Sequence, residues 1–211
     1  MLLAACGVLL LFKGREFCGA IGSALAGWPD GVAVLICAML CLISTMNDMA
    51  SPSVSLEGKS LWIPQSLPVE PKTVLRAKAF VQMILTGPPM LFASVCAALV
   101  LHTSIAVKLL ICVLSLFYAV FSALFGMTVG VRMPILNWTS ELAPIKQSGA
   151  VTLALFGGWI LSAAFGGLYL LIGYRIGAAP YLLIWTILFA TASLILLRWL
   201  DTKGSATFAG L

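Results

Sequence analysis

The sequence predicts an all-α integral membrane protein that crosses the bilayer several times. Of its 211 residues, 62% are hydrophobic and only 9% are charged, and the mean hydropathy is +1.11. Soluble domains carry roughly 25% charged residues, so this chain has too little polar surface for water and must be solvated largely by lipid. Long apolar runs alternate with short polar intervals, which is the pattern of a polytopic helical protein.

Five apolar runs are predicted to be transmembrane helices. They are residues 32–46, 79–101, 109–131, 148–172 and 181–197. The first run ends at the polar pair Asn47 and Asp48. The second contains Pro88 and Pro89, which predict a kink because each proline removes a backbone donor from the helix.

The first 31 residues predict a further short or partial span whose topology stays open. Residues 1–12 and 17–28 are each apolar but shorter than the roughly 20 residues that a span needs, and the charged stretch from Lys13 to Glu16 separates them. One broken span fits this pattern, and so does a span remnant followed by an interfacial segment. A chain that opens directly in an apolar run also allows a fragment of a longer protein.

The whole chain, residues 1–211, is predicted to be a single transmembrane domain with two cytoplasmic loops, at 51–78 and 132–147. This orientation puts eight of the 12 Lys and Arg residues inside, leaves Lys108 and Arg175 outside, and leaves Lys13 and Arg15 unassigned, so the ratio is at least eight to four, which is a positive-inside bias. The eight residues are Lys59, Lys72, Arg76, Lys78, Arg132, Lys146, Arg198 and Lys203.

Glycines at four-residue spacing mark two of the predicted spans. Gly126 and Gly130 form one pair, and Gly158, Ser162 and Gly166 form a longer series. Small residues at this spacing let helices approach closely, although glycine is common in membrane helices in general. The pattern is equally compatible with helix contacts and with chance.

Several function classes are disfavoured. The chain has one histidine, so neither a metal site nor acid–base catalysis is expected, and we predict that it is not an enzyme. Gly58-Lys59-Ser60 resembles the end of a P-loop, but Ser53 stands where the pattern needs glycine. No basic cluster interleaved with aromatic residues supports nucleic-acid binding. No acidic residue lies deep in a predicted span, which argues against a proton relay or cation-coupled carrier.

Two polar segments carry a resemblance to a known family. The stretch from Ser55 to Trp62, followed by 66–69 and Lys78, resembles bacterial ABC-2-type transporter permeases of an ABC exporter family. The later stretch 134–138, with Glu141 and 146–148, is similar to a second signature of the same family. The resemblance covers roughly residue 45 to the end, with two separate polar motifs in the right order, and indicates a carboxy-terminal half.

The resemblance implies a permease subunit of an exporter in the bacterial cell membrane. A separate ABC ATPase subunit would bind ATP, so this chain would hold no cofactor, and a second permease half or copy would complete the membrane part. The residues implied in ATPase coupling are Glu57, Gly58, Lys59, Leu61, Trp62, Leu67 and Pro68. The residues implied in the second cytoplasmic loop are Pro134, Asn137, Trp138, Glu141, Lys146 and Gln147.

Other interpretations remain open at this stage. Trp62 and Leu61 also fit a simple anchor at the lipid headgroups, and Glu57 and Glu141 fit ion pairs within their loops. The family usually continues after Ile63 with an aliphatic residue and a lysine, whereas this chain has Pro64 and Gln65. A non-transporting accessory membrane protein or a truncated permease fragment is therefore the alternative function. The sequence does not indicate a substrate.

Overall fold

The computed structural model describes residues 2–25, 27–28, 30–61, 63, 66, 68–138, 144–145 and 148–211, without the side chains of residues 24 and 59. All regular structure in these ranges is helical. The α-helices are α1 (Leu2–Ala24), α2 (Gly31–Thr45), α3 (Pro71–Val100), α4 (Ile105–Arg132), α5 (Gly149–Leu171), α6 (Ala178–Trp199) and α7 (Ser205–Ala209). Short 3₁₀ helices occupy Ser55–Ser60 and Gly173–Arg175, and a π-helical turn, Leu200–Gly204, links α6 to α7.

Four helices in the described ranges are long and apolar enough to cross a membrane. They are α3, α4, α5 and the continuous helical stretch Ala178–Ala209. The remaining predicted span, residues 32–46, corresponds to α2, which has only 15 residues and is therefore about 22 Å long, against a hydrocarbon core of about 30 Å. The structure thus supports a multi-pass membrane protein with four candidate spans, and the fifth span is not confirmed.

The amino-terminal region is a single helix and is not broken at its charged residues. Helix α1 runs from Leu2 to Ala24 without interruption. Lys13, Arg15 and Glu16 are all exposed on it, so the helix continues because none of these charges has to be buried. Gly14 faces Val100 of α3, and the packing of α1 is mainly against α3.

The first predicted loop is shorter than expected, because α3 begins at Pro71 and includes residues 71–78. Proline suits the first helical turn, where its missing N–H has no intrahelical partner, and it favours an extended residue before it. Glu70 has that extended conformation. Pro88 and Pro89 lie inside α3, which continues past both as one helix.

Helix α4 is the centre of the bundle and packs against α2, α3, α5 and α6. Its Tyr118 is fully buried, with the hydroxyl 3.0 Å from Ser162 Oγ on α5 and the ring edge-on to Phe189 on α6. Helix α2 packs on α5 where Gly158 faces Thr45 and Gly166 faces Ala38. The small-residue series in α5 therefore does mark a helix contact, since a side chain at either glycine would push α2 away.

The charge bias predicts which end of the bundle faces the cytoplasm. In intact cells and a cysteine-free background, we expect Ser60→Cys and Ser205→Cys to resist an impermeant thiol reagent. Ile105→Cys, on a 77% exposed position at the other end of α4, should react and is the positive control. Reaction of Ser60→Cys from outside would contradict the orientation. Ser140, in the second predicted loop, lies outside the described residues.

Candidate functional site at the polar end of the bundle

The predicted coupling residues are only partly within the described chain. Trp62, Leu67, Glu141, Lys146, Gln147 and the side chain of Lys59 lie outside the described residues. The others lie at the end of the bundle where α4 finishes and α3 begins. Pro68 and Asn137 are exposed, Pro134 and Trp138 are half-buried, and Leu61 is 5% exposed. Leu61 packs in a core cluster that includes Leu75 and Val131, so its side chain does not lie on the docking face that the resemblance implied.

The two predicted loops meet directly. Trp138 Nε1 donates to the carbonyl oxygen of Ser55 at 2.7 Å, and the amide of Ile135 donates to Ser55 Oγ at 3.0 Å. Ser55 is completely buried. We call Ser55, Gly58, Ile135 and Trp138 the loop junction. It joins segments about 80 residues apart in sequence into one surface.

Gly58 is required by the geometry of the loop junction. Its φ is +46°, in the region that only glycine enters without strain. A Cβ atom at this position would lie 2.8 Å from Trp138 Nε1, which is closer than van der Waals contact allows. The glycine therefore lets the indole ring of Trp138 lie against the backbone of the first loop.

Glu57 is paired within the chain. Its Oε1 accepts from Lys78 Nζ at 2.7 Å, and the same ammonium donates to the carbonyl oxygen of Ser53 at 3.1 Å. The two side chains are 25% and 17% exposed, so this pair is better shielded from water than a surface ion pair. Glu57 Oε2 is buried and has no hydrogen-bond partner. The pair fixes the first loop to the start of α3. The sequence left open an ion pair of Glu57 within its own loop, and in the structure its partner is Lys78.

The chain between α2 and the first 3₁₀ helix is non-helical and enters the bundle. A Cβ on Gly126 would lie 2.7 Å from Asp48 Oδ1, and Gly126 is six residues before the end of α4 at Arg132, which is about 9 Å. Ala50, Ser51, Val54 and Ser55 are each 1% exposed or less. We call residues 46–54 the re-entrant segment because they fold back against α4, with one side buried and with Met46 and Met49 exposed on the other.

Asp48 organises the turn of the re-entrant segment. Its Oδ1 accepts from the amides of Ala50 (3.0 Å) and Ser51 (3.2 Å), and its Oδ2 accepts from Ser51 Oγ. These bonds replace the helical partners that the backbone loses when α2 ends. Burial raises the pKa of the Asp48 carboxyl, and the bonds from Ser51 and Ala50 act in the opposite direction.

Gln82 of α3 clamps the same turn from the other side. Its Oε1 accepts from the Met49 amide at 2.9 Å, and its Nε2 donates to the Asn47 carbonyl oxygen and to Thr86 Oγ1. Gln82 is 3% exposed. Irregular backbone packed against membrane helices is tolerated only where protein satisfies it, and Gln82 supplies one donor and one acceptor for that purpose.

The glycine pair of α4 serves the re-entrant segment and not another helix. Gly126 faces the Asp48 carboxylate, and Gly130 faces the Ser51 backbone so closely that a Cβ atom would overlap its carbonyl oxygen. The four-residue spacing therefore creates one flat strip on α4 along which non-helical backbone can lie.

The carboxy-terminal segment belongs to the same end of the bundle. Arg76 on α3 forms two hydrogen bonds with Asp201, at 2.7 and 2.6 Å. The guanidinium of Arg132, at the end of α4, lies 4.4 Å from the centre of the Trp199 ring. Phe208 on α7 is 1% exposed and packs in the core cluster with Leu61. The first loop, the second loop and the carboxy-terminal segment thus form one continuous structure.

Sequence reasoning missed three residues of this site. Asp48 followed by Ser51 is a recognised local signal, since aspartate commonly caps a turn by bonding backbone amides two or three residues ahead. Gln82 gives only the weak signal of an amide near the start of a span. Ser55 opens the first motif of the family resemblance, but the sequence gives no sign of its contact with Trp138, which is far away in sequence.

No protein-family model, curated protein or solved structure matches this chain. Its resemblance to ABC-2-type permeases accordingly stays a prediction from the two polar motifs. Among the described residues there is also no group of three or more His, Cys, Asp or Glu that could hold a metal ion.

Proposed function

We propose that this chain is the membrane-spanning permease subunit of an ABC-type exporter in the bacterial cell membrane. A separate ABC ATPase would bind ATP and drive it, and a second permease half or copy would complete the pathway. The observation that carries the proposal is the loop junction. The two motifs of the family resemblance are brought together by Ser55 and Trp138, although 83 positions separate them.

The contacts around the loop junction offer a mechanical route from a partner to the membrane helices. A force on the first 3₁₀ helix reaches α3 through Glu57 and Lys78, and it reaches the end of α4 through Ser55 and the second loop. It also reaches the interior of the bundle through the re-entrant segment, which is packed against Gly126 and Gly130. Close packing transmits such displacements because protein interiors have low compressibility.

One contact revises the docking face. Glu57 is engaged with Lys78, so it contributes less charge to a partner than a free rim carboxylate does. The docking face proposed here therefore centres on Trp62, the largest apolar side chain between Lys59 and Leu67, and excludes the buried Leu61. A large aromatic anchor in a desolvated pocket can contribute about 2 kcal/mol or more to an interface.

The test is retention of the ATPase encoded nearest to this chain. Trp62→Ala is expected to weaken its co-purification with the solubilised permease by tens of fold, since each ~1.4 kcal/mol is a factor of ten. Membrane insertion should be unchanged, because insertion depends on the spans. Phe12→Ala is the matched control: it removes an aromatic side chain that is 85% exposed, on a helix away from both loops.

Two results would refute coupling through Trp62. Equal recovery of the ATPase with wild type and Trp62→Ala would leave Trp62 as a lipid anchor, for which Trp62→Phe and Trp62→Leu would also be nearly silent. Absence of the ATPase from both preparations would favour the alternative function, an accessory membrane protein or permease fragment.

A further inference from the structure

A small cavity with several polar groups in a largely apolar wall lies between the helices where α2 ends. Its volume is about 10 Å³, and it is lined by residues of α2, α3, α4 and α5 together with Asp48, so it has room for roughly one water-sized sphere. Ser44, Gln82 and Tyr118 supply further polar atoms to its wall. The cavity thus lies between four helices at the start of the re-entrant segment.

The first sign of a ligand is a hydroxyl without a partner. Ser44 is 1% exposed, and its Oγ makes no hydrogen bond. Its neighbour Thr45 is different, because Thr45 Oγ1 donates to the Leu42 carbonyl oxygen at 2.7 Å. Native structures rarely leave a buried hydroxyl unpaired, and each such group calls for an explanation such as a bound ion or water.

The second sign is a carboxylate that has no ion-pair partner among the described side chains. Asp48 is the only charged residue that lines the cavity within the described chain. The nearby basic residues of α3 are engaged elsewhere, Lys78 with Glu57 and Arg76 with Asp201. The Asp48 carboxylate accepts three hydrogen bonds and has about four acceptor positions, which leaves one for a further ligand.

The local dipoles also favour a cation. The carbonyl end of a helix carries a negative partial charge, and α2 ends at Thr45, on the wall of the cavity. Helices that stop within a membrane commonly use that end, with unwound carbonyl groups, to coordinate Na⁺. One carboxylate with hydroxyl and carbonyl oxygens is a hard, singly charged ligand set, which suits a small monovalent cation better than a divalent one.

We propose that this cavity binds a single Na⁺ ion, held by the carboxylate of Asp48, the hydroxyl of Ser44 and oxygens at the carbonyl end of α2. The ion neutralises Asp48 and satisfies Ser44, and it secures the point where α2 gives way to the re-entrant segment. The site requires neither an ATPase partner nor transport, so it stands or falls separately from the proposed function.

The test is the thermal unfolding midpoint of the purified full chain in lipid nanodiscs. The midpoint is compared in NaCl, KCl and choline chloride at equal ionic strength and pH. We expect Na⁺ alone to raise it in a saturable way, by roughly 5–10 °C at a concentration a hundredfold above the dissociation constant. K⁺ should be weaker because the cavity holds only a small ion, and choline should have no effect.

Three variants identify the ligands. Asp48→Asn retains an acceptor for the Ala50 and Ser51 amides but removes the charge, and Ser44→Ala removes only the unpaired hydroxyl. Each should raise the Na⁺ concentration needed for half-maximal stabilisation by tenfold or more. Ser115→Ala is the matched control, since Ser115 Oγ is also buried and unpaired but does not line the cavity, and its Na⁺ response should equal that of wild type.

The outcomes that overturn the proposal are distinct. Equal stabilisation by all three salts would show an ionic-strength effect only. Stabilisation by acid without any response to Na⁺ would mean that Asp48 is neutralised by a proton, and the cavity would hold at most a water molecule. A Na⁺ response that Ser44→Ala leaves unchanged would place the ion elsewhere, and this variant decides the matter even if Asp48→Asn fails to fold.

Discussion

Gly130→Ala is expected to destabilise the protein strongly, although alanine is the better helix former. The added methyl group would overlap the carbonyl oxygen of Ser51, which is backbone and is held in place by the bonds between Ser51 and Asp48. Overpacking of this kind costs about 1–3 kcal/mol or more. We expect the unfolding midpoint in detergent to fall by roughly 4–8 °C, with a lower yield of folded protein.

Gly167→Ala is the matched control for that substitution. Gly167 lies near the end of α5, as Gly130 lies near the end of α4, but nothing lies within 4 Å of a Cβ built at Gly167. The change should be neutral or slightly stabilising, because alanine gains up to about 1 kcal/mol over glycine in a helix. If the two variants unfold alike, the re-entrant segment does not pack on Gly130 as described.

Gln82→Leu should have the second large effect, because it keeps side-chain volume but removes the clamp on the re-entrant segment. The amide of Met49 and the carbonyl of Asn47 would both lose their partner, at about 1–3 kcal/mol for each buried group left unsatisfied. We expect a loss of several kcal/mol in the free energy of unfolding and faster proteolysis between α2 and α3.

Thr86→Val is the control for the glutamine clamp. It removes the third bond of Gln82, to Thr86 Oγ1, but leaves both backbone bonds in place, so it should cost about 1 kcal/mol. The double variant should be no less stable than Gln82→Leu alone, since the Thr86 bond is already lost there. An equal cost for the two single variants would show that the backbone bonds of Gln82 do not stabilise the turn.

The helices were the most predictable part of the fold. Each of α3 to α6 contains an apolar run about as long as the bilayer is thick, and such a run can be recognised from consecutive residues alone. The boundaries were less predictable. The three basic side chains of residues 71–78 predict a loop, but the structure begins α3 at Pro71. An exposed helical turn accommodates these charges as well as a loop does.

The site was predictable only as two separate segments. Trp138 and Gly58 were both identified, but the sequence gave no reason to expect an indole ring against that glycine. The sequence also left open which residue pairs with Glu57, and in the structure it is Lys78, 21 positions away. Long-range partners depend on how helices pack, and a single sequence contains no direct signal of that packing.

Composition alone determined that this protein is solvated by lipid, since 9% charged residues cannot cover a water-soluble surface. The alternation of apolar runs and polar intervals predicted the order of helices and connecting segments, although residues 71–78 of the first polar interval belong to α3. Only the tertiary structure decided that α2 stops after 15 residues and that Asp48 is held beside Gly126 inside the bundle. The physical reason is that buried non-helical backbone is stable only when other elements supply its hydrogen bonds, and here Gln82 and the glycine strip of α4 come from distant parts of the chain.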